Sequence, residues 1–80
     1  MSSLHVVHSL EGLAACRRRC SEGDVVLLVG DAVYASDLGP RDHALEEDIL
    51  VRGWRTEAKQ VDYAGFVELT AAHNPIVSWP

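Results

Sequence analysis

Two cysteines, Cys16 and Cys20, are the residues best suited to chemistry, and they stand four positions apart. On a helix, side chains at i and i+4 are neighbours. Such a pair could bind metal, close a disulfide, hold sulfur as a persulfide or fill space as small hydrophobes. No Cys-x-x-Cys spacing supplies further metal ligands, and the side-chain directions of this pair would strain a disulfide. Buried, inert thiols are therefore the favoured interpretation.

A reactive Cys20 is the alternative interpretation. Arg17, Arg18 and Arg19 stand beside it in the sequence, and their positive charges would favour the thiolate form. The end of the predicted helix opposes that effect, because a helix C-terminus has partial negative charge.

The four histidines do not form a site by spacing. His5 and His8 are three apart on a predicted strand and so point to opposite faces. His43 falls in a predicted loop. His73 follows Leu69 by four residues on the predicted buried face of a helix, where a core or interface role is favoured over that of a catalytic base.

Other catalytic and cofactor motifs are missing from the sequence. It has no glycine-rich phosphate loop and no Gly-x-Ser-x-Gly motif. Asp31, Glu46, Glu47 and Asp48 are interpreted as solvated carboxylates, the last three at a helix start, rather than as metal ligands. We therefore predict no cofactor, no metal site and no enzymatic activity of the chain by itself.

Length and charge limit the remaining possibilities. The 80 residues predict one domain over 1–80, small enough to favour burial against another subunit. A net charge of −5 argues against direct nucleic-acid binding. No apolar stretch is long enough for a membrane span, and the first residues do not resemble a signal peptide. We expect a cytoplasmic protein with reduced thiols.

The pattern of apolar residues predicts an α/β fold, a small layered domain with a mainly parallel sheet flanked by helices. Val25–Val29 is continuously apolar, which is typical of a strand covered on both faces. The other predicted elements are a strand at Leu4–His8, helices at Leu10–Cys20, Leu45–Arg52 and Asp62–His73, and a last strand at Ile76–Trp79. Ser9 and Asp62 are predicted N-caps, Gly53 a C-cap, and residues 37–43 the least regular segment.

Several side chains near segment ends are candidates for a subunit interface: Tyr34, Tyr63, Phe66, His73 and Trp79. Trp79 is the least usual of them, because a tryptophan so near the end of a sequence is costly to order unless it packs. It could close the core of the domain or anchor a partner, and the sequence favours neither.

Four stretches, in order along the chain, resemble the TusB/DsrH family. The most specific runs from Val61 to Thr70 and is followed by His73 and by Ser78-Trp79. The others are Leu4-His5, residues 21–35 and residues 44–53.

The resemblance implies a fold of the DsrE/DsrF/DsrH type and assembly with two related subunits, DsrE/TusD-like and DsrF/TusC-like. Such complexes pass sulfur as a persulfide between sulfur-carrier proteins, for 2-thiolation of the tRNA wobble uridine or for sulfur oxidation. In the catalytic sister subunit a cysteine precedes the helix that ends in Arg-Gly. The matching stretch here, residues 44–47, has no thiol.

The resemblance therefore implies a non-catalytic subunit of a sulfur-relay complex. Two alternatives remain: a persulfide carrier that uses Cys20, which matches a cysteine of some DsrH-like proteins, and a stand-alone homodimeric interaction module. The stretch between Ala35 and Ala44 is shorter than usual in the family, which predicts a stunted third strand.

Overall fold

A computed structural model describes residues 2–80 of the chain. Within them, five strands alternate with three α-helices and one 3-10 helix. The strands are β1 (Leu4–Val7), β2 (Val25–Leu28), β3 (Asp42–Leu45), β4 (Lys59–Val61) and β5 (Ile76–Trp79). The helices are α1 (Leu10–Arg19), α2 (Glu46–Arg52) and α3 (Tyr63–Ala72), and the 3-10 helix spans Gly30–Tyr34.

All five strands run parallel in one sheet of order β4-β3-β2-β1-β5. The predicted α/β fold with a mainly parallel sheet is therefore confirmed. α1, the 3-10 helix and α2 pack on one face of the sheet, where their buried residues share one core, and the connection from β4 to β5 places α3 on the other face. Within residues 2–80, no helix is long and apolar enough to cross a membrane.

The main core lies between the sheet and the first two helices. It comprises Val7, Leu13, Cys16, Val26, Leu28, Ala32, Val33, Ala35, Ala44, Ile49 and Ala58, with Cys20, Leu38 and Trp79 packed at its margin. Its sheet members follow the strand register, because paired positions on neighbouring strands share a face. The second helical layer is thinner: α3 has no fully buried residue.

The helix boundaries follow the predicted capping residues. The Ser9 hydroxyl accepts a hydrogen bond from the Gly12 N–H, and the Asp62 carboxylate accepts one from the Gly65 N–H. Gly53 closes α2 in the left-handed region, with φ 58°. Cys20, predicted as the last residue of α1, is its C-cap instead.

Residues 37–43 were predicted to be irregular, which is wrong for Asp42 and His43 because both lie on β3. The prediction of a stunted third strand is also wrong. β3 begins at Asp42 and is as long as β1, so His43 lies on a strand rather than in a loop, and α2 starts one residue later than predicted. The strand was not predicted there because β3 begins with an aspartate, which is rare in strands. Asp42 is nevertheless buried, and Arg17 balances its charge.

Candidate functional site

The two thiols lie in contact on the face of α1 that packs on the sheet. Their Sγ atoms are 3.4 Å apart, with Cys16 fully buried and Cys20 partly exposed. Burial, followed by the hydrogen bond to Cys20, raises the pKa of Cys16 from 9.0 to about 12. Cys16 is therefore a protonated thiol near neutral pH, as expected of an inert core cysteine.

A buried hydrogen-bond network links the first strand to the last. The indole Nε1 of Trp79 donates to Nδ1 of His5 at 3.0 Å, and the other ring nitrogen of His5, Nε2, lies 2.9 Å from the Asp24 carboxylate. Because an indole N–H can only donate, Nδ1 must be the acceptor, and Nε2 therefore carries the proton toward Asp24. The network fixes His5 as the neutral Nε2–H tautomer.

The carboxylate at the centre of this network also holds the start of β2. Asp24 accepts hydrogen bonds from the N–H groups of Ser3 and Ser21, at 2.9 and 3.0 Å. These two donors and then the His5 ring hold the pKa of the Asp24 carboxyl well below its usual range. Asp24 is thus a buried anion whose donors tie β1 and the turn after α1 together.

The fold brings His5 to the two cysteines. One ring nitrogen of His5 and the sulfurs of Cys16 and Cys20 all lie within 4.8 Å of one another. The spacing of residues along the chain does not reveal this third candidate ligand. His5 is 11 positions from Cys16 and reaches it only through the packing of α1 on β1.

Residues 44–47, which the resemblance aligns with the cysteine-bearing stretch of the sister subunit, span the end of β3 and the start of α2. Ala44 is buried there, and Glu46 and Glu47 are exposed at the helix start. These side chains are a methyl group and two carboxylates, none of which can hold a persulfide.

The third acidic residue of this turn, Asp48, was interpreted as a solvated carboxylate, but it is structurally engaged. Its Oδ2 accepts a hydrogen bond from the Gly30 N–H at 2.9 Å, and its Oδ1 lies 3.4 Å from the Arg52 guanidinium. Asp48 therefore joins α2 to the 3-10 helix.

The three adjacent arginines also divide by role. Arg17 makes a bidentate pair with the buried Asp42, at 2.8 and 2.9 Å, and donates to the carbonyl of Asp37. Arg18 and Arg19 are exposed to solvent. Arg17 thus has a structural role in anchoring the segment before β3.

An exposed apolar surface lies on α2 and the adjoining loops. Leu50 is 70% and Val51 76% exposed. Beside them Tyr34 packs edge-on against Trp54 with centroids 5.1 Å apart, and the Arg52 guanidinium lies 5.8 Å from the Tyr34 ring centroid. We call these five residues the α2 surface.

The other interface candidates lie on α3 and β5. Tyr63 is exposed at the start of α3, 6.2 Å from the Phe66 ring, while Phe66 and His73 are partly buried. The His73 Nδ1 donates to the Leu69 carbonyl, which caps its own helix. Trp79 packs at the margin of the core and binds His5, so part of its surface stabilises its own chain.

An open groove of 590 Å³ separates α3 from the edge of the sheet. Its lining residues are His43, Glu46, Lys59, Gln60, Val61, Asp62, Gly65, Glu68, Leu69 and Ala72. Charges of both signs face it, and no hydroxyl or thiol lies among these residues. The groove therefore lacks the thiol that holding a persulfide would require.

The remaining histidines are tied to backbone carbonyls. The Nδ1 of His8 bonds to the carbonyl of Trp79 at 2.9 Å, and the Nδ1 of His43 bonds to the carbonyl of Arg41 at 3.1 Å. Neither residue joins the thiol cluster. His5 is buried on β1, whereas His8 follows that strand and is exposed.

Comparison with known proteins gives a consistent match over most of the chain. The family model described as "DsrH like protein" matches residues 8–76. Proteins named "Protein TusB" from Escherichia coli O139:H28 and Shigella boydii serotype 18 are each 34% identical over 94 aligned residues, covering 95% of this chain and 99% of the relative. No solved structure matches the chain.

Proposed function

The chain belongs to the DsrH-like family, and from that premise we propose that it is a non-catalytic subunit of a sulfur-relay complex serving tRNA wobble-uridine 2-thiolation. The similarity to proteins named TusB favours thiolation over sulfur oxidation. Its partners in this proposal are one DsrE/TusD-like and one DsrF/TusC-like subunit, with sulfur-carrier proteins reached through them and the complex located in the cytoplasm.

The observation that best supports a non-catalytic role is the placement of the thiols. At the position that matches the sister subunit's sulfur-bearing cysteine, the end of β3 has Ala44 and the start of α2 has Glu46 and Glu47. Cys16 is enclosed in the core with its pKa raised to about 12. A sulfur acceptor must instead present a thiolate to an incoming persulfide.

The exposed apolar residues support a role within an assembly. Leu50 and Val51 are exposed on α2, and Tyr34 and Trp54 pack edge-on nearby in the chain, so the α2 surface has the aromatic and aliphatic character of a subunit interface. Tyr63 is a further exposed aromatic residue, at the start of α3. We propose both helices as contact surfaces for the related subunits.

Co-purification from the native host is the first test. The chain, tagged at its N-terminus away from Trp79, should retain two small related α/β proteins through a high-salt wash. One of them should have a cysteine before a helix that ends in Arg-Gly. Recovery of this chain alone, as a homodimer, would reject the proposal in favour of the stand-alone interaction module.

A genetic test addresses the pathway and the thiols together. A host that lacks the chain should lose 2-thiouridine at the tRNA wobble position, and the wild-type chain should restore it. Cys20→Ser should restore it nearly as well, because Cys20 is not needed to hold sulfur. Loss of restoration by Cys20→Ser, together with a one-sulfur mass gain on wild-type Cys20 after incubation with a cysteine desulfurase, would favour the carrier alternative.

A further inference from the structure

His5, Cys16 and Cys20 form a cluster that has no part in the proposed sulfur relay. One ring nitrogen and two sulfurs meet within 4.8 Å, between the inner face of β1 and the C-terminal half of α1. We propose that these three side chains form a Zn²⁺ site, with both cysteines bound as thiolates and His5 as a neutral imidazole. The inference is independent of the proposed relay function.

The spacing of the donor atoms suits a metal ion better than a disulfide. Tetrahedral coordination with Zn–S bonds of about 2.3 Å separates two sulfurs by about 3.8 Å, and here Cys16 and Cys20 have their Sγ atoms 3.4 Å apart. A disulfide bond would require about 2.05 Å. Because Cys20 is the C-cap, with extended backbone at φ −65° and ψ 136°, its side chain can adjust without disrupting a helical turn.

Charge balance favours a divalent cation at this position. When the ion binds, each thiol releases its proton to solvent, so two thiolates and Zn²⁺ sum to zero. A neutral cluster suits the buried Cys16, whereas a monovalent ion such as Cu⁺ would leave a net negative charge close to the Asp24 carboxylate. The donor set of one imidazole and two thiolates is also one that zinc accepts, with an exogenous fourth ligand.

A carboxylate that could orient a metal-bound His5 is already in contact with its ring. Asp24 accepts the Nε2–H of the ring, an arrangement that orients metal-bound histidines and raises their basicity. The contact that must yield is the one from Trp79 to Nδ1, and it is the weaker of the two because neither partner is charged. Zn²⁺ coordination by Nδ1 would therefore displace the Trp79 indole.

Access to the site is through Cys20. This residue is partly exposed, whereas Cys16 is fully buried and His5 is 4% exposed. An ion can therefore enter from the end of α1, and a water molecule from the same side can supply the fourth ligand.

The test is Zn²⁺ titration of the full chain together with any subunits that co-purify, after treatment with a chelator and a thiol-free reductant. We expect one more Zn²⁺ per chain than the matched complex with Cys20→Ser binds, and Co²⁺ should give sulfur-to-metal charge-transfer absorption that this variant lacks. The control His8→Gln should bind as the wild type does. Equal Zn²⁺ stoichiometry and affinity in wild type and Cys20→Ser would overturn the proposal.

Three further substitutions keep the test decisive if Cys20→Ser folds poorly. Asp24→Asn leaves all three ligands in place and should weaken Zn²⁺ binding by about 10- to 100-fold. In a Trp54→Phe background, Zn²⁺ should change the fluorescence of Trp79, and Trp79→Phe should bind Zn²⁺ at least as tightly as the parent. Tighter binding by Asp24→Asn or a fluorescence signal unaffected by Zn²⁺ would contradict the assigned second shell.

Discussion

The Nε1 of Trp79 donates a 3.0 Å hydrogen bond to the Nδ1 of His5, joining two residues 74 positions apart in the chain. Both residues lie on the face of the sheet that packs against α1, since β5 pairs in parallel with β1. The contact gives the edge strand β5 a side-chain anchor in addition to its backbone ladder.

Trp79→Phe should therefore lower the free energy of unfolding by about 1–3 kcal/mol, because it leaves a buried His5 acceptor without its donor and removes apolar contact. Trp54→Phe is the matched control. Trp54 packs edge-on against Tyr34 at the surface, so its substitution should lower the free energy of unfolding less. Urea unfolding of both variants measures the difference, and equal effects would show that the hydrogen bond adds nothing.

The stability of the fold should depend on Asp24 in acid. The N–H groups of Ser3 and Ser21, then the His5 ring, hold the pKa of the Asp24 carboxyl below its ordinary 3.8. The unfolded chain, with the ordinary pKa, takes up the proton first as the pH falls. The stabilisation is therefore complete above about pH 4 and is lost as the pH falls toward the folded-state pKa.

Asp24→Asn tests this dependence in the presence of a chelator. The variant should be less stable than wild type near pH 6 and should lose less stability than wild type between about pH 5 and pH 2. Asp31→Asn, which alters an exposed carboxylate, should retain the wild-type slope. An acid slope unchanged in Asp24→Asn would assign acid unfolding to other groups.

Local signals along the sequence were sufficient for much of the fold. Ser9 and Asp62 have side chains that satisfy helix N-termini, and Gly53 takes a positive φ at low cost, so these boundaries follow from properties of single residues. The continuous apolar run at β2 likewise predicted a strand buried on both faces.

The features that the sequence analysis missed depend on pairs of residues far apart in the chain. Asp42, at the start of β3, forms an ion pair with Arg17, which lies 25 positions earlier in the chain. No local sequence pattern reveals such a pair. The cluster of His5 with Cys16 and Cys20 arises in the same way, from the docking of α1 on β1. Residue spacing therefore indicates the pair of thiols but not the histidine that lies beside them.

The Arg17–Asp42 pair gives the next prediction. Arg17→Ala should lower the free energy of unfolding by about 1–3 kcal/mol, because it leaves a buried carboxylate without its cation, though the partly exposed arginine limits the loss. Asp42→Ala should have a comparable effect, and the double variant should lose less than the sum. Arg18→Ala is the control and should be near neutral. Strict additivity in urea unfolding would exclude coupling between the two side chains.

Gly12 is sterically required in α1 by the backbone of Pro80. A Cβ at this position would collide with the carbonyl oxygen of Pro80, which also accepts a hydrogen bond from the Ser9 hydroxyl. Gly12→Ala should therefore lower the melting temperature, although alanine is intrinsically better than glycine in a helix by about 1 kcal/mol. When Pro80 is deleted, Gly12→Ala should instead raise the melting temperature, because the collision is removed. Destabilisation of similar size in both backgrounds would contradict this steric explanation.

Substitution on the α2 surface should separate assembly from folding. Leu50→Lys combined with Val51→Lys places cations near the C-terminal end of α2, where the helix dipole favours them and where neither side chain is buried. The variant should keep the melting temperature of the wild type.

Capture of the related subunits should nevertheless fall by at least about 10-fold, because charges replace the apolar centre of the proposed contact. Ala14→Lys adds one charge at an exposed position of α1 and should capture subunits as the wild type does. Quantitative co-purification of the three proteins makes the comparison. Full capture by the α2 variant would move the proposed contact to α3, where Tyr63 is the exposed aromatic.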